Sequence, residues 1–379
     1  MKTLLILSIF IGFYTIGYTQ TINGTIIHDG IVRTYKLYVP AIYSGNVPVP
    51  LLLNFHGYTS NSNEQMFYGD FRNIADTANF LVVHPQGTLD NTNTTHFNVG
   101  WGGSSVDDVG FTEALLDSLS AAYSIDQNRI YAVGMSNGGF MSFRLACELS
   151  NKIAAVGSVT GSMTTSTLGN CNASHPMPII QIHGTTDATV PYNGSAGWTA
   201  SVTNVLNHWA TFNNCSPVPT VVNVPNTNTI DGSTVEKYTY ENGDNCSEVV
   251  HYKVTNGQHT WPGSIFNFAG TNYDINASVE IWNFLSKYDI FGLISCNPST
   301  IEDQFGMEDF QVYPNPCNES IHVDLKTAES SFYEIYTLYG QLLKSGSISI
   351  NSNEIDLSNL DPQGYLLKIG DQYQRIIKL

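Results

Sequence analysis

Ser136 has the setting that a nucleophile requires. It is the central residue of Gly134-Met135-Ser136-Asn137-Gly138, a G-x-S-x-G sequence. The apolar run 129–133 stands directly before it, and residues 139–146 suit a helix. Strand, sharp turn and helix form the context in which the serine Oγ is pushed out at the tip of the turn. The backbone N–H of Asn137 then lies at a helix N-terminus, where it can stabilise an oxyanion.

A serine hydroxyl is inert until a base takes its proton and a third group orients that base. Around such an elbow the chain order is Ser, then Asp or Glu, then His. His175, His183, His208, His251 and His259 follow Ser136. His208 sits in the amphipathic stretch 202–212, and His251 sits inside a strand pattern. His259 lies in the loop Gly257-Gln258-His259-Thr260-Trp261-Pro262-Gly263, just after an expected strand at 249–254. Reactive groups gather in loops at the edge of a scaffold, so His259 is the expected base. Asp187 follows the expected strand 179–183 through Gly184-Thr185-Thr186 and is the expected acid.

A second oxyanion donor should come from an earlier strand–loop junction. Run 51–55 leads into His56-Gly57-Tyr58, so the Tyr58 N–H is the candidate and His56 reads as a group that shapes the loop. Trp101, Tyr192 and Trp261 lie in loops near the expected site and are candidates for a substrate-binding wall. Asp107 or Asp108 is placed to cap the helix that follows.

These residues need a frame. Apolar runs at 51–55, 80–84, 130–133, 153–159, 179–183 and 249–254 alternate with helical patterns at 74–79, 108–122, 138–148, 200–212 and 277–288. Near-continuous apolar strands alternating with helices predict an α/β fold with a mostly parallel sheet covered on both faces. A hairpin is expected ahead of it, with strands 21–27 and 31–39 around His28-Asp29-Gly30. From residue 310 onward only short alternating segments occur: 321–325, 331–338, 347–350, 364–369 and 375–379. They predict a small all-β sandwich domain. The expected division is a signal peptide at 1–19, a catalytic domain at 20–292, a linker at 293–308 and the β domain at 309–379.

The chain has 379 residues and a net charge of −17, which argues against a nucleic-acid partner. Met1-Lys2 and the short apolar core after it read as an export signal rather than a span, so no membrane span is expected in the mature protein. Export makes the six cysteines candidates for disulfides. Sequence order suggests Cys147–Cys171 and Cys215–Cys246, leaving Cys296 and Cys317. Neither C-x-x-C nor H-E-x-x-H spacing occurs, so no metal or cofactor is expected.

The motifs occur together in a family order. His56-Gly57, Trp101 with Asp107-Asp108-Val109-Gly110-Phe111, the Ser136 elbow, His183-Gly184-Thr185-Thr186-Asp187 with Val190-Pro191-Tyr192, and Gly257-Gln258-His259 through Gly263 resemble the extracellular polyhydroxybutyrate depolymerase/feruloyl esterase family of α/β-hydrolases. The resemblance runs from about residue 25 to 288 and puts nucleophile, acid and base on Ser136, Asp187 and His259. It departs at Gln258, where the family often has a second glycine before the histidine. Val312-Tyr313-Pro314-Asn315-Pro316, Leu338-Tyr339-Gly340 and Gly364-Tyr365-Leu366-Leu367-Lys368-Ile369 resemble a type IX secretion sorting domain. The resemblance implies a secreted or cell-surface protein that engages the type IX machinery. It implies a serine esterase working through an acyl-enzyme on feruloyl or acetyl esters of plant cell-wall xylan. Poly(3-hydroxybutyrate) or another aliphatic polyester is the alternative substrate. A peptidase, or a non-catalytic polymer-binding protein, is the alternative of another class.

Overall fold

In a computed structural model, residues 19–296, 310–325, 330–337, 342–349, 353–370 and 372–378 are described. The expected signal peptide and most of the expected linker lie outside them. The chain divides into two compact units, Met1–Cys296 and Asn297–Leu379.

The first unit is built on one ten-stranded sheet. Its strands are β1 (Gln20–His28), β2 (Ile31–Val39), β3 (Val49–Phe55), β4 (Leu81–Pro85), β7 (Ile125–Met135), β8 (Ala155–Val159), β9 (Ile179–Gly184), β10 (Thr220–Asn223), β11 (Thr234–Tyr240) and β12 (Val249–Thr255); the two-residue strands β5 (Thr88–Leu89) and β6 (Thr95–His96) form a separate hairpin, as do β13 (Tyr288–Asp289) and β14 (Gly292–Leu293). The spatial order is β1-β2-β4-β3-β7-β8-β9-β12-β11-β10. The six central strands, β4 to β12 in that order, are mutually parallel. Antiparallel pairs flank them on both sides. The sequence therefore predicted the parallel centre, but it did not separate β10 and β11 from the loops. Residues 220–223 are exposed throughout and carry no apolar periodicity.

The continuous apolar runs follow from burial on both faces. Along β3, Leu51, Leu53 and Phe55 join one core, while Leu52 between them joins the other. The first core packs under α3 (Asp108–Ala122), α4 (Asn137–Glu148) and α6 (Val202–Phe212). The second lies under α2 (Arg72–Ala78) and α7 (Ala277–Leu285). Each such side chain, fully buried, stabilises the fold by about 1.5–3 kcal/mol. Two further short helices are α1 (Ser62–Tyr68) and α5 (Thr165–Asn170); neither was legible as an apolar pattern.

The hairpin turns through Asp29 and Gly30, both at positive φ, so that His28 pairs with Ile31. Of the two aspartates before α3, Asp107 makes the cap, accepting from Gly110 N at 2.9 Å. Asp108 turns inward, where its Oδ1 meets Arg33 Nη2 at 2.5 Å and its Oδ2 accepts from Asn98 N at 2.7 Å.

Cys147 bonds Cys171, but the second disulfide differs from expectation: Cys246 bonds Cys296, not Cys215. Pairing neighbours in sequence missed that residues 292–296 return to the 244–246 turn, where Gly292 lies against Asn245. Cys215 keeps a free thiol that points at Ser247 O, and Cys317 is free and buried.

Among its described residues the second unit contains two antiparallel sheets. One has three strands, β15 (Phe310–Tyr313), β16 (Ser320–Leu325) and β19 (Glu354–Asp356). The other has four, β17 (Ser330–Thr337), β18 (Leu342–Ser349), β20 (Gly364–Ile369) and β21 (Gln372–Ile377). Ile321, Val323 and Ile355 of the first share one apolar core with Ile335, Leu367 and Ile376 of the second.

Candidate active site

Four loops leave the C-terminal ends of parallel strands β3, β7, β9 and β12, the edge at which open α/β sheets bind ligands. They carry the candidate residues except Trp101, which lies in the loop between β6 and α3. Ser136 stands between β7 and α4 at φ 53° and ψ −119°, a conformation a serine adopts only when the surroundings impose it. The imposing contacts are close. A Cβ on Gly134 would stand 2.4 Å from Gly138, and a Cβ on Gly138 would stand 2.2 Å from Phe55 O. Only glycine at both positions lets strand, turn and helix approach this tightly. Ser136 is 8 % exposed. Asn137 opens the helix with its side chain locked, accepting from Phe97 N at 2.7 Å and donating to Phe97 O at 3.0 Å.

Asp187 and His259 meet. The Nδ1–H of His259 donates to Asp187 Oδ2 at 2.8 Å. A carboxylate only accepts here, so the hydrogen sits on Nδ1 and the Nε2 lone pair is left free. Asp187 Oδ1 accepts from the backbone N–H groups of Thr189 (2.8 Å) and Val190 (2.9 Å). Burial pushes the Asp187 carboxyl up, but the donors and charge of His183 and His259 outweigh it and hold it well below the usual carboxylate range. The loops bearing acid and base are tied to each other: Thr186 N and Oγ1 both donate to Gly257 O. Gln258, where a glycine was expected, lays its side chain over Gly270.

The loop after β3 is set by His56, which is fully buried. Gly87 N donates to His56 Nε2 at 3.0 Å, so the ring hydrogen is on Nδ1 and donates to Gly57 O at 2.7 Å. A trans peptide points its C=O and N–H in opposite directions. Holding the Gly57 carbonyl on the ring therefore turns the Tyr58 N–H away from it. Burial pushes His56 down to about 4, so it stays neutral. Gly57 lies next to Ser136, a Cβ there being 3.4 Å from Ser136 Cβ.

The three aromatic candidates separate. Trp101 is half-buried beside the loop after β3, its ring 6.2 Å from Tyr58, 5.1 Å from Phe140 and 6.1 Å from Trp198. Tyr192 turns inward, its hydroxyl 2.8 Å from His251 Nε2. Trp261 is corrected: at 1 % exposure it belongs to the core, edge-on to Phe71 and bonded through Nε1 to Ser278 Oγ. A tryptophan between the 257–263 loop and a helix can serve either side; here Phe71 supplies the apolar face and Ser278 of α7 the hydroxyl.

Other site groups were given no role from the sequence. His183, one of the five histidines after Ser136, lies buried behind Asp187 together with Gln181, a position its apolar strand context hid. Tyr68, Phe266 and Phe268 cluster on the surface beyond the His259 loop, with centroid spacings of 5.6–6.3 Å. Among the described residues His28, Asp29 and Asp107 form a group with metal-ligating atoms, away from these loops.

The fold is that of an α/β-hydrolase, followed by a small β domain. Residues 108–216 match the phospholipase/carboxylesterase family, and residues 311–379 match the secretion system C-terminal sorting domain, which marks the chain for secretion. A bifunctional acetylxylan esterase/xylanase of Neocallimastix patriciarum is 27 % identical over 278 residues, covering 73 % of this chain and 36 % of that protein. A probable feruloyl esterase C of Aspergillus clavatus is 29 % identical over 181 residues, covering 46 % of this chain and 61 % of its own length. The chain thus spans under two thirds of both. Among solved structures, an acetyl xylan esterase from Aspergillus awamori matches with a TM-score of 0.47 at 13 % identity, covering 71 % of this chain and 99 % of that one. Among the described residues, no helix is long and apolar enough to cross a membrane.

Proposed function

We propose that the protein is an exported serine esterase that hydrolyses feruloyl or acetyl esters of plant cell-wall xylan. The carrying observation is the 2.8 Å bond from His259 Nδ1 to Asp187 Oδ2, on loops at the same sheet edge as the Ser136 elbow. His259 Nε2 takes the Ser136 proton as Oγ attacks the ester carbonyl. The N–H groups of Asn137 and Tyr58 hold the oxyanion. The alcohol leaves with the proton from His259, and water, deprotonated by the same base, releases the acid from the acyl-enzyme.

Two features support the substrate class. The relatives include an acetylxylan esterase/xylanase and feruloyl esterases. Aromatic side chains stand on two sides of the loops, Tyr58 and Trp101 on one and Tyr68, Phe266 and Phe268 on the other.

Hydrolysis of p-nitrophenyl acetate tests the class, and Ser136→Ala should abolish it. Wild-type turnover by that variant would reject the mechanism. Methyl ferulate, acetylated xylan, polyhydroxybutyrate film and a peptide substrate, compared at equal enzyme concentration, test the acyl group. Faster release from the polyester or the peptide would overturn the xylan-ester reading. The domain limits proposed with it are 20–292 for the catalytic part and 309–379 for the sorting part.

A further inference from the structure

The catalytic acid has a second histidine behind it. His183 Nε2 lies 3.3 Å from Asp187 Oδ2 and 2.9 Å from Val190 O, and the side chains of His183 and Asp187 are both fully buried. The hydrogen position on His183 follows from its neighbours. Gln181 Nε2 donates to Gly161 O at 2.9 Å. A carbonyl can only accept, which fixes the Gln181 amide with its nitrogen inward. The same nitrogen is 3.0 Å from His183 Nδ1, so Nδ1 is the acceptor and Nε2 carries the hydrogen. That hydrogen is directed at Val190 O and stands within reach of the Asp187 carboxylate.

We propose that His183 is a positioning residue for the reaction: its Nε2–H, locked by Gln181, holds the 187–190 turn and biases the Asp187 carboxylate toward His259. The turn is gripped from both ends. His183 holds Val190 through its carbonyl, while Val190 N donates to Asp187 Oδ1. The other end of the brace reaches the nucleophile. Gly161, whose carbonyl fixes Gln181, packs so close to the elbow that a Cβ on it would stand 2.8 Å from Ser136 O. A buried line thus runs from the elbow through Gly161, Gln181 and His183 to Asp187. It registers acid against nucleophile without touching substrate. The titratable groups facing Asp187 are His259 and His183. Behind His183 stand His251 and Tyr192, bonded to each other.

The inference rests on the Ser136–Asp187–His259 reading. Its test uses the full chain and p-nitrophenyl acetate, with His183→Leu, His183→Gln and Gln181→Leu beside Ser136→Ala. Glutamine reaches the Nε2 position with an N–H; leucine does not. His183→Leu should lower kcat by up to about 100-fold, the cost of misplacing a catalytic group by about an ångström, with KM within about twofold. Its acid limb of kcat/KM should move to higher pH, because an Asp187 relieved of one donor stabilises the His259 imidazolium more. His183→Gln should restore most of kcat, and Gln181→Leu should reproduce part of the loss. Unchanged kcat and acid limb in His183→Leu, or a folded His183→Gln as impaired as leucine, would overturn the proposal. Should leucine not fold, the Gln181→Leu and His183→Gln pair decides on the same readouts. Turnover surviving in Ser136→Ala would instead remove the triad reading itself.

Discussion

His259 Nδ1 and Asp187 Oδ2 stand 2.8 Å apart across 72 residues of chain. Asp187→Asn keeps the shape but offers an N–H where the carboxylate accepted, favouring the wrong tautomer of His259. The expected loss in kcat is about 10⁴-fold, the scale that change reaches in serine triads. Steady-state kinetics on a chromogenic ester measure it; a loss below about tenfold would place the orienting role elsewhere.

His56 should matter for kcat although it does not touch the nucleophile. Its Nδ1–H holds Gly57 O at 2.7 Å and so aims the Tyr58 N–H. His56→Leu releases that peptide. A drop of about 10²-fold in kcat at near-constant KM is expected, as for loss of one oxyanion donor. A rise in KM alone would mean that the loop binds substrate rather than the transition state.

Arg33 and Asp108 form an ion pair with 1 % and 0 % side-chain exposure. Asp108→Asn strands the guanidinium in the core without its counter-charge, leaving it the Gln86 carbonyl at 3.2 Å and the Phe111 ring 3.7 Å from its centre. The expected cost is about 3–5 kcal/mol. Urea unfolding measures it, and a change under about 1 kcal/mol would show that the guanidinium reaches water.

Burial pushes His56 down to about 4 and both His84 and His251 down to about 3. In the unfolded chain each titrates near 6.5. Above pH 6.5 both states are neutral and stability is level. Below it only the unfolded state takes up protons, so stability falls by up to about 1.4 kcal/mol per pH unit for each histidine. The decline should continue until the folded values are reached. Unfolding free energies at pH 7.5, 6 and 5 test this, and a flat profile contradicts it.

The Cys246–Cys296 bond closes a separation of 50 residues. Removing it with Cys296→Ser should cost about 4 kcal/mol by the loop-entropy relation, whereas Cys215→Ser should cost far less. Thermal melts rank the two variants, and non-reducing peptide mapping identifies the pair directly. A Cys215–Cys246 peptide would refute the assignment.

The parallel centre was legible because strands buried on both faces must be apolar throughout, and the elbow because two glycines are needed for its contacts. Chain order left five histidines, and position in a loop after an expected strand then favoured Asp187 and His259. Signals that depend on one residue type at one spacing survive in a linear text. The flanking antiparallel strands β10 and β11 and the short helices α1 and α5 left no such mark.

By itself, then, the sequence determined the α/β class and the sorting tail, and it nominated Ser136, Asp187 and His259 as a candidate set. Only the tertiary structure decided that Trp261 packs in the core, that Cys246 bonds Cys296, and that His183 stands behind Asp187. The physical reason is common to all three. A side chain's partner is set by which loops return to the same place, and chain separation says little about that. Local spacing dictates secondary structure and turns, whereas burial and long-range hydrogen bonds exist only once the sheet has assembled.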